Sequence, residues 1–204
     1  MGLKELKKDL IIDSALNLFL EKGLSSVTIK DIATNIEVGE ATIYRYFENK
    51  ENIVILCAEK LEKKVYKEYF NLDKFKNGFE KIKEFYMNYL YIFIKHPSYY
   101  RFINEFDAFM LSKSGFDLNE YANIIDKFKD LFISAYNDGI KDGSIKEVND
   151  IETIYYASSK ALLELCKKES ITVDIVRQDS LVNKKELISK LIDIILFTFK
   201  KEVC

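Results

Sequence analysis

One proline and seven glycines in 204 residues leave this chain almost nothing with which to break a helix or turn a strand. Between those few breakers run long segments rich in Lys, Glu, Leu and Ile, all residues at home in helices. Apolar side chains in these segments return at intervals of three and four, the period of one helical face. The chain is therefore expected to be all-α, with long helices and few tight connections. Its core can be large, because 48% of residues are apolar and the aromatics include 15 Phe and 13 Tyr. The most apolar stretch, LISKLIDIILFTF, is interrupted by Lys190 and Asp193, so no membrane span is expected. The opening MGLKELKKDL lacks an apolar signal core, which predicts a cytoplasmic protein.

The first segment carries Ile11, Ile12, Ala15, Leu16 and Phe19 at helical spacing and stops at Gly23. A second helix opens at Thr28, with Asp31 in the reciprocal capping position and Ile29, Ile32, Ala33 and Ile36 as its apolar stripe. A three-residue turn, Glu37 to Gly39, leads into EATIYRYF, and Asn49 is placed to cap a longer helix beginning near Lys50. Beyond about Phe70 the spacing predicts helices over 73–95, 98–112, 119–142, 150–169 and 183–201. The stretch ITVDIVRQDSLVN has no helical period and reads as an irregular connection. The expected organisation is a small module over 1–50 and a larger helical domain over 51–204.

A short helix, a three-residue turn and another short helix form the arrangement that lays its second helix in the major groove of DNA. In EATIYRYF, Ile43 and Phe47 are four apart and can face inward, with Val38 beside them. Glu40, Ala41, Thr42, Tyr44, Arg45 and Tyr46 are then left to point outward. Arg and Thr read base edges, while Tyr hydroxyls and Lys ammonium groups reach phosphate oxygens. The capped start at Thr28 offers backbone N–H groups to a phosphate, and Lys50 can add an ionic contact.

The segment from Ile11 to Val54, with Ala15–Phe19 leading into EKG, Thr28 opening a helix containing IA, and TIYRYF followed by NKE, resembles the DNA-binding domain of TetR-family transcriptional regulators. The resemblance implies that Thr28 and Lys30 lie near the DNA backbone. It puts Ala41, Thr42, Tyr44 and Arg45 in the groove, and Tyr46 and Lys50 on phosphates. Three positions depart from the family's habit: Glu37 where Gly is usual in the turn, Gly39 where Ser or Thr is usual, and Glu40 where Lys is frequent. An acidic side chain at 40 repels phosphate but can accept from a cytosine amino group. Charge also runs against DNA, because residues 1–60 carry eight Lys or Arg against ten Asp or Glu. Any positive face must be local, drawn from Lys4, Lys7, Lys8, Arg45 and Lys50, with Asp9, Asp13, Glu21 and Glu59 elsewhere.

In the larger domain most aromatics are expected to fill a core, yet tyrosine is more abundant than a dry core needs, since each buried hydroxyl requires a partner. Tyr86, Tyr89, Tyr99, Tyr100, Tyr136 and Tyr155 are the candidates to line an effector pocket. Arg101 and Glu105, four apart, form either an ordinary surface pair or a functional one that orients an anionic ligand or links the pocket to the DNA module. His96, before Pro97, is expected at a helix junction. The three cysteines, Cys57, Cys166 and Cys204, lack metal-ligand spacing and read as small reduced core residues. With one histidine and no Gly-rich phosphate loop, no catalytic constellation, metal site or cofactor is expected.

The family resemblance further implies a homodimer joined through the last two helices. Ile154, Ala157, Ser158, Ala161 and Leu165 would supply one stripe, and Leu187, Leu191, Ile194, Ile195 and Thr198 the other. The resulting expectation is a ligand-responsive repressor that binds a near-palindromic double-stranded operator and is released by a small molecule. The competing expectation is an all-helical ligand-binding or protein-interaction module without specific DNA binding.

Overall fold

A computed structural model describes residues 2–171 and 181–201, and there the chain folds into nine helices with no strand. They are α1 (Leu3–Lys22), α2 (Ile29–Asn35), α3 (Glu40–Phe47), α4 (Lys50–Tyr69), α5 (Gly78–Lys95), α6 (Pro97–Leu111), α7 (Asn119–Asp142), α8 (Ile151–Ile171) and α9 (Lys184–Phe197). The fold is the all-α class that the scarcity of breakers predicts. Most of the aperiodic stretch 171–183 lies outside the described residues, as does Cys204. No described helix is long and apolar enough to cross a membrane.

The chain divides into two compact units. One holds residues 1–64 and 101–124, the other residues 65–100 and 125–204, and α4, α6 and α7 contribute residues to both. In the first unit, α2 packs on α1 and α3 packs on α2. Phe19, Ile32, Ile43, Ile53 and Phe102 are almost wholly buried there, with the Phe19 and Phe102 rings stacked 6.3 Å apart. The Asn35 amide donates to the buried Ser14 hydroxyl at 2.9 Å, so α2 is tied to α1 by a hydrogen bond as well as by apolar contact. Cys57 is a buried free thiol that donates to the Ile12 carbonyl, and burial raises its pKa, which suppresses thiolate chemistry.

In the second unit, α5 packs against α8 and α9, which also pack on each other. Its centre is a cluster of rings: Phe70 edge-on to Phe128 at 4.8 Å, Phe85 edge-on to Phe132 at 5.4 Å, and Phe132 tilted against Tyr155 at 5.1 Å. Cys166, also free and buried, has its thiol pushed up to about 12 by burial.

Two boundaries differ from the sequence expectation by more than two residues. The first long helix of this unit begins at Gly78 rather than 73, because Asn77 caps it by accepting from the Glu80 N–H at 2.9 Å. The last helix ends at Phe197 rather than 201, where Phe199 turns inward and its carbonyl accepts from the Lys146 N–H at 3.1 Å. His96 closes α5 and Pro97 opens α6, as the junction reading requires.

Gly78 and Gly139 mark the tightest approach in this unit. A Cβ on Gly78 would stand 2.1 Å from the Gly139 nitrogen, and one on Gly139 would stand 2.2 Å from the Ile145 Cδ1. Two backbones this close leave no side chain to move aside. Gly78→Ala is expected to destabilise the fold by about 1–3 kcal/mol through overpacking, seen as a lower midpoint in urea denaturation.

Candidate nucleic-acid interface

The N-terminus of α2 is built as its sequence predicts. The Thr28 hydroxyl accepts from the Asp31 N–H at 3.2 Å, and the Asp31 carboxylate accepts from the Thr28 N–H at 2.7 Å. The Thr28 hydroxyl and amide hold the Asp31 carboxyl below its ordinary pKa. Thr28 and Lys30 are both exposed at this end of the helix.

The turn after α2 carries the main departure from family habit. Glu37 has φ of 56°, the left-handed region that favours glycine. Its N–H donates to the Thr34 carbonyl at 3.2 Å, and the Val38 N–H donates to the Ala33 carbonyl at 3.0 Å. This pair of bonds is the Schellman arrangement, with glutamate in the glycine position.

Gly39 then starts α3 with no side-chain cap, and the Thr42 N–H donates to its carbonyl at 2.8 Å. Ile43 and Phe47 form one buried row. Glu40 and Tyr44 form an exposed row, Ala41 and Arg45 another, and the half-buried Thr42 and Tyr46 flank them. Tyr44 is 49% exposed, so a large aromatic is presented to solvent with no core role. The Arg45 guanidinium lies 5.7 Å from the Tyr46 ring centroid, and the Lys8 ammonium lies 6.0 Å from that of Phe47. Thr28, Lys30, Glu40, Tyr44, Lys50 and Ser25 border one open hollow of about 440 Å³. Five of the nine candidate residues, Thr28, Lys30, Glu40, Tyr44 and Lys50, are therefore brought together around one hollow of the first unit. Asp13 is instead engaged with Lys60 at 2.6 Å, and Glu59 is half-buried with its pKa raised by burial.

Lys50, expected on a phosphate, is engaged with the protein's own backbone and rings. Its ammonium donates to the Leu24 carbonyl at 2.8 Å and lies 5.7 and 6.0 Å from the centroids of the Phe19 and Phe109 rings. Half-burial lowers its pKa. The reason is local: α4 begins at Lys50, and its side chain reaches back across the start of α4 toward the end of α1.

Arg101 and Glu105 also depart from expectation, because both belong to the first unit rather than with the tyrosines. The Arg101 guanidinium donates to the Leu20 carbonyl and, at 3.4 Å, to that of Glu21. The Glu105 carboxylate accepts from the Leu24 N–H. A helix C-terminus leaves carbonyls without intrahelical partners, and a guanidinium there is electrostatically favoured. Sequence reasoning sees the four-residue spacing but not these partners, which are main-chain atoms some 80 residues away.

Of the tyrosines singled out for the larger domain, three converge. Tyr86 shares a hydrogen bond with Ser158 at 2.7 Å, while Tyr86, Tyr89 and Tyr155 surround Ser159. The Ser159 hydroxyl is buried with no partner in hydrogen-bonding geometry among the described residues. Burial raises the pKa of all three phenols, which therefore remain neutral donors and acceptors. Tyr100 donates to the Tyr89 carbonyl at 2.9 Å, and Tyr99 packs edge-on against Tyr100. Tyr136 does something else: its hydroxyl pairs with the Val148 backbone, donating at 3.3 Å and accepting at 3.0 Å. It fastens the link between α7 and α8.

An exposed eight-residue helix, fixed by one apolar row behind a capped partner helix, defines a helix-turn-helix module of the DNA-binding class. The family model for bacterial regulatory proteins of the tetR family matches residues 11–57. The biofilm-operon negative transcriptional regulator IcaR of Staphylococcus epidermidis is 44% identical over 46 residues, which is 22% of this chain and 25% of that protein. The matched segment thus spans about a quarter of the length of that relative.

Solved structures extend the likeness to the whole fold. A transcriptional regulator from Saccharomonospora viridis in complex with choline aligns with a TM-score of 0.75 at 16% identity, covering 97% of this chain and 100% of that one. FadR from Bacillus subtilis in complex with stearoyl-CoA aligns with a TM-score of 0.68 at 19% identity, covering 93% and 97%. Residues 11–57 therefore carry a tetR-family DNA-binding domain, and the chain as a whole shares the fold of those solved regulators.

The left-handed glutamate in the turn gives a test of this geometry. Glu37→Gly is expected to stabilise the fold by about 1 kcal/mol, because glycine adopts that conformation without Cβ strain. Calorimetry would show it as a rise in Tm of about 2–4 °C for a chain of this size.

Proposed function

We propose that this protein is a homodimeric, ligand-responsive repressor whose α3 enters the major groove of a near-palindromic operator. The observation that carries this reading is the pair of exposed rows on α3, Glu40–Tyr44 and Ala41–Arg45, set opposite the buried Ile43 and Phe47. Residues 1–50 form the DNA-binding module in this reading, and residues 51–204 serve effector binding and dimerisation in the cytoplasm. Arg45, Thr42, Tyr44 and Ala41 meet base edges, and Glu40 accepts from a cytosine amino group. Thr28, Lys30 and Tyr46 hold phosphates. The sign of regulation follows that of IcaR, a negative transcriptional regulator.

The outer faces of the last two helices support dimerisation. Ala157 and Ala161 on α8 are exposed, and so are Leu187, Ile194 and Phe197 on α9. Ile195, expected in this stripe, is instead 8% exposed and belongs to the core. Phe197, at 77% exposure, is a large ring that a monomer would leave in water. The small alanines permit close approach of a second copy. Effector binding is supported by the Tyr86, Tyr89, Tyr155 and Ser159 hydroxyls buried in an otherwise apolar core.

Fluorescence anisotropy with duplexes tiling the DNA upstream of the gene, in a salt series, tests the reading. Saturable binding to one near-palindrome, falling steeply with salt, is the expected result. Arg45→Ala should then weaken operator binding by about 1–3 kcal/mol while leaving the circular dichroism spectrum unchanged. Ile194→Lys combined with Phe197→Lys should shift sedimentation velocity toward the monomer and abolish half-site cooperation. A protein that binds every duplex equally weakly would instead be a helical binding module, the reading favoured by Glu40 and the acid excess of the first 60 residues.

A further inference from the structure

The peptide at Leu24 is held from both sides by charged groups. Its N–H donates to the Glu105 carboxylate of α6, and its carbonyl accepts from the Lys50 ammonium of α4 at 2.8 Å. All three residues belong to the first unit. Leu24 is 2% exposed, so the two hydrogen bonds form where water competes poorly, and both are charge-assisted. Gly23 precedes it with φ of 86°, and a Cβ there would stand 3.2 Å from a Glu105 oxygen, so glycine admits the carboxylate. Arg101, one turn earlier on α6, takes the Leu20 carbonyl in the last turn of α1.

What this grip controls follows from its place in the chain. Leu24 lies four residues before Thr28, the cap of α2, and Lys50 lies three residues after Phe47, the end of α3. The Lys50–Leu24 bond thus ties the exit of the recognition helix to the entrance of its partner helix. Lys50 is steadied by the Phe19 and Phe109 rings, and its neighbour Glu51 is paired with Lys113 at 2.8 Å. A side chain so engaged is poorly free to swing out to a phosphate.

We infer that Lys50 and Glu105 are positioning residues for DNA binding, which hold the Leu24 peptide by its carbonyl and its amide and so set where α2 and α3 stand relative to each other. This rests on the proposed operator binding. Neither residue touches DNA in this role, and the effect is transmitted through the 24–28 link. Losing either grip lets the α2 N-terminus drift, so the phosphate contact at Thr28 and the base contacts of α3 are no longer made together.

The test uses the full-length protein and the operator duplex found for the wild type, with Lys50→Met, Glu105→Ala, Glu105→Gln and the control Arg45→Ala. Lys50→Met keeps the aliphatic stem over the two rings, and circular dichroism checks each fold. Lys50→Met and Glu105→Ala should weaken operator binding about tenfold. The slope of log affinity against log salt should stay at the wild-type value, and Glu105→Gln, which retains an acceptor oxygen, should restore most of the loss. In hydrogen exchange the Leu24 amide should open faster in Glu105→Ala and not in Arg45→Ala. A slope reduced by about 0.9 in Lys50→Met would place that ammonium on a phosphate and overturn the inference. Full affinity in both Lys50→Met and Glu105→Ala, with Arg45→Ala impaired, overturns it alone. A wild type that binds no duplex specifically overturns the regulator reading and this inference with it.

Discussion

Burial of Ile43 and Phe47 is the contact on which the rest of the DNA-facing side depends. An eight-residue helix is too short to persist in water on its own, so α3 exists because those two side chains are packed into the first unit. Once that row is fixed, the helical period dictates where every other residue of α3 points. Tyr44 and Arg45 are exposed because the core has already claimed the opposite face. The turn before α3 is left-handed at Glu37 and the cap at Gly39 contributes no side chain, so local sequence supplies little of the helix's stability. Tertiary packing supplies the remainder.

Much of this was legible in the sequence for definite reasons. The helices follow from the apolar period and the shortage of breakers, and the Thr28–Asp31 box was legible because it is local, three residues apart. The left-handed turn at Glu37 could be located from a glycine position filled by another residue. Long-range partners were not legible. The spacing of Arg101 and Glu105 invites a pairing between them, whereas their partners are the main-chain atoms of Leu20 and Leu24, which have no sequence signature. The Leu24 carbonyl that Lys50 reaches was hidden for the same reason, since a lysine's target cannot be read from its neighbours in the chain.

The larger unit shows the converse limit. Its aromatic richness identified a packed core correctly, but the tyrosines do not act as one set. Tyr136 fastens a loop, Tyr100 holds the α5 backbone, and only Tyr86, Tyr89 and Tyr155 turn toward the α8 serines. A phenol count carries the information that hydroxyls need partners, not which partners they find. The Gly78–Gly139 crossing was equally invisible, because a close backbone approach is recorded only as the absence of side chains.

The grip on Leu24 has a consequence for how this region can vary. Arg101, Glu105 and Lys50 all address backbone atoms, so the bonds they make are indifferent to which side chains stand at 20, 21 and 24, provided position 24 stays apolar enough to be buried. Substitution can then proceed along the end of α1 without any compensating change on α6 or α4. Coupling of this kind leaves no correlated pairs behind it, and a search for co-varying positions would pass over the connection that orients the module.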